Sequence, residues 1–90
     1  MVWVSVKILV SGDVQGVGFR AHAKTCAEQL SLAGYAKNLH DGSVEILAQG
    51  SEDAVKKFAG IMKKGPHFSS VKQFFITPFI SKKYEDFSIL

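Results

Sequence analysis

A single arginine, Arg20, closes the run Gly12-Asp13-Val14-Gln15-Gly16-Val17-Gly18-Phe19-Arg20, and every other basic residue is a lysine. A guanidinium offers a planar fork of donors that matches a phosphate or carboxylate with two parallel hydrogen bonds. Backbone N–H groups in a glycine-rich turn ahead of a helix form a concave, positively polarised nest for the same kind of anion. The amides of Gln15, Gly16, Val17, Gly18 and Phe19, together with the Arg20 side chain, therefore read as an oxyanion site best suited to phosphate. Asn38 is the chain's one asparagine. An amide side chain can hold a water by donating and accepting hydrogen bonds at once. Taken singly, each residue has a plainer explanation: a surface arginine, an asparagine before an Asp-Gly turn, glycines in a tight connection. Their meaning depends on whether the fold brings them together.

The glycine run is not a nucleotide P-loop, because no Gly-Lys-Ser/Thr follows it. Nor does its glycine spacing fit a dinucleotide fingerprint, which also needs a parallel sheet.

The elements around these residues are legible from periodicity. Between Trp3 and Ser11, Val4, Val6, Ile8 and Val10 alternate with Ser5, Lys7 and Ser11, which predicts a strand with Leu9 as the one apolar residue on the polar side. From Arg20 the period becomes helical, with Ala23, Cys26, Ala27 and Leu30 on one face and Gly34 as the expected stop. Gly34–Leu39 and Ser43–Gln49 read as strands joined by a hairpin at His40-Asp41-Gly42, where Asp-Gly supplies positive φ angles. Ser51 is the expected cap of a second helix. Glu52 and Asp53 suit the positive end of its dipole, and Lys63 and Lys64 the negative end. Val55, Phe58, Ala59 and Met62 form its apolar stripe, and Gly65-Pro66 stops it. A fourth strand is expected over about 71–77, and a short edge segment through Phe87 and Ile89.

The order βαββαβ implies an α+β fold of the ferredoxin-like, split-βαβ kind: a four-stranded antiparallel sheet with two helices on one face. In that topology the first two strands run parallel with the third inserted between them. Their C-terminal ends share one edge of the sheet, roughly 10 Å apart. The glycine turn leaves the first strand at that edge, and Asn38 ends the second strand there.

Gly12-x-Val14-Gln15-Gly16-Val17-x-Phe19-Arg20, followed by Gly34-Tyr35-Ala36-Lys37-Asn38-x-x-x-Gly42-x-Val44, resembles the two signature segments of the acylphosphatase family, in order and at the right separation. Gly50, Gly65-Pro66 and Phe87-x-Ile89 also fit, so the resemblance spans nearly the whole chain. It implies metal-independent hydrolysis of acyl phosphates, the mixed anhydrides of a carboxylic acid and phosphate. Arg20 would be the phosphate-binding arginine and Asn38 the residue that positions water. Three positions depart from the family's usual pattern: Asp13 sets an acid beside the loop, and His22 and Tyr35 stand where other aromatics are frequent, with possible effects on the rim of the site.

The chemistry needs few residues. A carboxylate leaving group has a conjugate acid of pKa roughly 4–5 and departs without a proton. Phosphoryl transfer is chiefly positioning and charge stabilisation. The attacking water's proton can pass to a phosphate oxygen of the substrate, so neither a general acid nor a protein base is required.

Composition sets the remaining bounds. Ninety residues, 47% hydrophobic and 21% charged, are expected to make a single domain over 1–90. The net charge of +3 assists a small anion but is not the basic stripe of a nucleic-acid binder. One cysteine, Cys26, expected in the core, fits a reducing, cytoplasmic setting. No apolar run reaches membrane-span length, and no charged leader followed by a hydrophobic segment is expected. His22, His40 and His67 do not have zinc-type spacing and the acids do not pair into a magnesium site, so neither metal nor cofactor is expected. The expected partners are a small-molecule acyl phosphate substrate and inorganic phosphate or sulfate as product or mimic. No nucleic acid and no membrane are expected, and the chain is read as a monomer. Two rivals share the element order. An RNA-recognition module needs aromatics on the third strand, and Ser43–Gln49 has none. A non-catalytic, anion-binding regulatory domain of the same fold, free or fused to a larger enzyme, stays open at this level.

Overall fold

A computed structural model describes residues 2–90. Its order is β1 (Trp3–Asp13), α1 (Phe19–Gln29), β2 (Ala33–Asn38), β3 (Val44–Ser51), α2 (Glu52–Lys64), β4 (Ser70–Pro78) and β5 (Phe87–Ile89). The strands lie in the order β4-β1-β3-β2-β5. β3 is antiparallel to both β1 and β2, so those two run in the same direction, as the split βαβ requires.

The helices pack on one face of the sheet. Ile8 and Val10 of β1 and Val44, Ile46 and Ala48 of β3 meet Phe19, Ala23, Cys26 and Ala27 of α1 and Val55, Phe58 and Met62 of α2. Phe58 and Ile46 are wholly buried, and each such side chain contributes about 1.5–3 kcal/mol of transfer free energy. Cys26 belongs to this core. No helix among the described residues is long and apolar enough to cross a membrane.

Two features differ from the sequence reading. The edge segment expected through Phe87 and Ile89 is present, but as a fifth strand that makes the sheet mixed: β5 pairs with β2 in parallel, Gly34 opposite Phe87 and Ala36 opposite Ile89. The parallel pairing follows from the path of the chain. After β4 at one edge, the backbone crosses the sheet's open face to reach the other edge. Gln49 pins that crossing. Its buried side chain donates from Nε2 to Lys82 O at 2.8 Å and accepts the Tyr84 N–H at 2.9 Å. The segment lies over the polar side of β3, where Leu47 is fully buried.

The second difference is Gly34, which does not end α1. The helix stops at Gln29, and the turn's left-handed residue is Ser31, with φ 57°. Gly34 lies inside β2 at φ 141°, and a Cβ there would sit 1.8 Å from the Leu47 carbonyl oxygen. Close backbone approach between β2 and β3, rather than helix capping, requires the glycine.

Candidate active site

The register of the sheet decides which residues meet. Val10 near the end of β1 and Asn38 at the end of β2 both lie opposite Val44 of β3. The two chain segments therefore emerge in one row, two strand spacings or about 10 Å apart. From β1 the backbone turns through residues 14–18 and enters α1 at Gly18.

Gly18 is the N-cap of α1, with φ 77°, and Gly16 has φ 75°. Both left-handed conformations suit glycine. No side chain caps this helix start and its first turn contains no acid. The first-turn N–H groups thus lack an acceptor from a capping side chain, at the end of the helix where the dipole is positive.

A cavity of about 170 Å³ opens at this point. That is smaller than the several hundred Å³ of a drug-sized pocket and on the scale of a small anion with its water. Gly16, Gly18, Phe19, Arg20 and Asn38 line it, with Val14 and Ala21 beside them and Ile89 as an apolar wall. Arg20 is the one charged side chain in that lining.

The guanidinium is held from the side. One Arg20 Nη donates to the main-chain oxygen of Leu90 at 2.8 Å. A guanidinium has five N–H donors in a rigid fork, so this contact leaves others for an anion. The Asn38 side chain is exposed. At the end of a strand it stands where a carboxamide can reach both the cavity and solvent water.

Not every residue of the predicted loop has its side chain at the cavity. Gln15 Nε2 donates to the carbonyl oxygens of Leu39 at 2.8 Å and Ser43 at 2.9 Å. That side chain ties the glycine loop to the hairpin just beyond Asn38 and so sets the spacing of the site's two halves. The hairpin is braced in turn by Asp41, whose Oδ1 accepts hydrogen bonds from the N–H and hydroxyl of Ser43. Those bonds hold the Asp41 carboxyl below its ordinary value. Val17 packs at the edge of the core. Phe19 is 2% exposed, and its ring roots the start of α1 in the core while the residue also lines the cavity.

The three departures from the family pattern lie away from the cavity lining. Asp13 is exposed in the β1–β4 ladder opposite Ser70. His22 turns from the cavity toward Cys26, whose Sγ is 3.8 Å from its Nε2, and burial lowers its pKa. Burial raises the Cys26 thiol, which disfavours the nucleophilic thiolate. Tyr35 is on the sheet's open face and donates to Glu45 Oε2 at 2.7 Å. Burial first, then this bond to a carboxylate, pushes its phenol above the ordinary value.

Sequence reading missed two parts of the site. Ile89 in the wall and the Leu90 main-chain oxygen on Arg20 both lie far along the chain from the glycine loop. Nothing in the local sequence pairs Arg20 with a residue 70 positions away.

Comparison with known proteins bears on the family and the fold. The acylphosphatase family model matches residues 6–89. An acylphosphatase of Alkalilimnicola ehrlichii is 56% identical over 62 residues, covering 69% of this chain and 70% of the relative. One from Archaeoglobus fulgidus is 40% identical over 86 residues, covering 96% and 97%. The crystal structure of acylphosphatase from Bacillus subtilis superposes with a TM-score of 0.92 at 42% identity, over 97% of this chain and 98% of that one. Likeness in sequence and in fold runs through both signature segments, and the chain belongs to the acylphosphatase family, hydrolases that split acyl phosphates into a carboxylate and inorganic phosphate.

Proposed function

We propose that Arg20 and the loop amides from Gln15 to Phe19 bind the phosphoryl group while Asn38 aligns the attacking water. The observation that carries this reading is the shared cavity: Gly16, Gly18, Arg20 and Asn38 line one small space although they come from separate strand ends. The substrate phosphoryl oxygens sit against the uncapped start of α1 and the free donors of Arg20. Asn38 holds a water on the far side of phosphorus from the leaving oxygen. Water oxygen bonds to phosphorus as the bond to the acyl oxygen breaks, and the bonding pair leaves with the carboxylate. The water's proton passes to a phosphoryl oxygen. Charge spreads over the equatorial oxygens during transfer, and the amides and guanidinium are fixed where that charge develops. No step calls for a metal, an acid or a base from the protein.

The finer assignments belong to the same proposal. The chain acts as one domain and as a monomer. Its buried thiol suits the cytoplasm. β3 carries no aromatic on which a nucleic-acid base could stack.

The test is hydrolysis of a simple aryl acyl phosphate in excess chelator by the native chain, Arg20→Ala and Asn38→Ala. We expect unimpaired native turnover, a loss of about 10³-fold or more for Arg20→Ala and of about 10²-fold for Asn38→Ala. Native turnover abolished by the chelator, or either variant at the native rate, would overturn the assigned roles.

A further inference from the structure

We infer that Lys24 is a positioning residue for Arg20, acting through β5; the inference rests on the reading of Arg20 as the phosphate ligand. Arg20 and Lys24 are four residues apart on α1 and so share one face of the helix. Each reaches the same short strand. Lys24 Nζ donates to the Phe87 carbonyl oxygen at 2.8 Å, and Arg20 Nη to the main-chain oxygen of Leu90 at 2.8 Å. One cation grips the first residue of this three-residue strand and the other the residue just past its last.

β5 needs such a grip. It is the outermost strand, with no neighbour on its far side. Backbone bonds hold it to β2 at its two ends, Gly34 N to Asp86 O and Leu90 N to Ala36 O, each 2.9 Å. Phe87 is buried against the Phe58 ring at 6.2 Å between centroids, whereas Ile89 and Leu90 are 44% and 60% exposed. The core thus anchors the start of the strand, and its far end is the part prone to fray. Lys24 fixes the strand at its first residue, Phe87, and thereby aims Ile89 at the cavity wall and the Leu90 main-chain oxygen at Arg20.

That aim matters for binding. A guanidinium held by a main-chain oxygen is already ordered before phosphate arrives, and a free one must lose rotamer freedom on binding. The cost of ordering a loosened Arg20 is met when the substrate binds and does not change on going to the transition state, so the effect falls on KM rather than on kcat. The neighbouring ion pair of Lys24 with Glu28, 3.0 Å between exposed groups, is a bystander.

The experiment compares Lys24→Met, which keeps the apolar stem, Lys24→Arg, which restores a donor, and Glu28→Gln. KM, kcat, the inhibition constant of inorganic phosphate and amide exchange at Leu90 are measured well below each variant's melting temperature, with Lys24→Gln substituted should the methionine variant not fold. In Lys24→Met we expect KM and the phosphate constant to rise about 3–10-fold, where tenfold corresponds to 1.4 kcal/mol. Turnover should stay within about twofold and Leu90 exchange should quicken. Lys24→Arg should recover most of the loss, and Glu28→Gln should match the native chain. Unchanged KM and phosphate constant in Lys24→Met would overturn the inference, as would a loss without faster exchange at Leu90. Native phosphate affinity in Arg20→Ala is a separate failure, of the reading of Arg20 itself.

Discussion

The two helices of this molecule begin in opposite ways. α2 starts on Ser51, whose hydroxyl accepts the Ala54 N–H at 3.2 Å, with Glu52 and Asp53 in its first turn. α1 starts on a left-handed glycine, without a capping side chain and without an acid. The first arrangement satisfies the orphan donors and offsets the dipole from within the chain. The second leaves both to something from outside. Two helix starts in one small fold thus separate a structural solution from a functional one, and the difference lies in what is withheld from α1.

Substitutions that exchange these solutions test the contrast. The largest effect is expected from Ala21→Glu, which gives the first turn of α1 the acid it lacks, at a residue lining the cavity. A carboxylate there competes for the site meant for phosphate. Steady-state kinetics should show kcat/KM falling about 100-fold, equivalent to about 2.7 kcal/mol, while thermal melting shows no loss of stability. Native kinetics in this variant would mean that the helix start does not hold the anion.

Gly18→Ala comes next. A Cβ at that position meets nothing within 4 Å, so the penalty is the left-handed backbone alone. It should cost about 1–2 kcal/mol in chemical denaturation and weaken phosphate inhibition through the displaced loop. Ser51→Ala should cost about 1 kcal/mol and lower the melting temperature by roughly 4–8 °C, with kcat and KM unchanged. A kinetic effect of Ser51→Ala would erase the distinction between the two starts. The smallest change expected is Gly60→Ala, on the exposed side of α2 with open space at its Cβ. It should stabilise by about 0.5–1 kcal/mol and leave activity alone.

Much of this contrast is legible before folding. Ser51-Glu52-Asp53 announces a self-sufficient helix, and the glycine run before Arg20 announces a start that is not. Asn38 is legible because an alternating strand followed by Asp-Gly sets its place at a strand end, and βαββαβ order sends that end to the rim the glycine turn occupies. What escaped sequence reading depends on distance along the chain. Gly34 looks like a helix stop, yet the carbonyl that excludes a side chain there belongs to Leu47, on another strand. Gln49 looks like a polar residue on an open sheet face. It is buried because residues 81–84 come back over it, and short-range periodicity carries no signal for that return. Gln15 was assigned to the anion loop through its backbone, while its side chain's task, bracing the hairpin through Leu39 and Ser43, appears only once the two are side by side.

The contact between Arg20 and Leu90 also bears on the time course of folding. Closing a loop of that span is entropically dear and contributes late, after the hairpin and helices have made their local contacts. Collapse and helix signals in a refolding experiment can therefore be complete while the guanidinium is still unheld. Recovery of tight phosphate binding then clocks the docking of the last three-residue strand, the step that also seats Phe87 against Phe58 in the core.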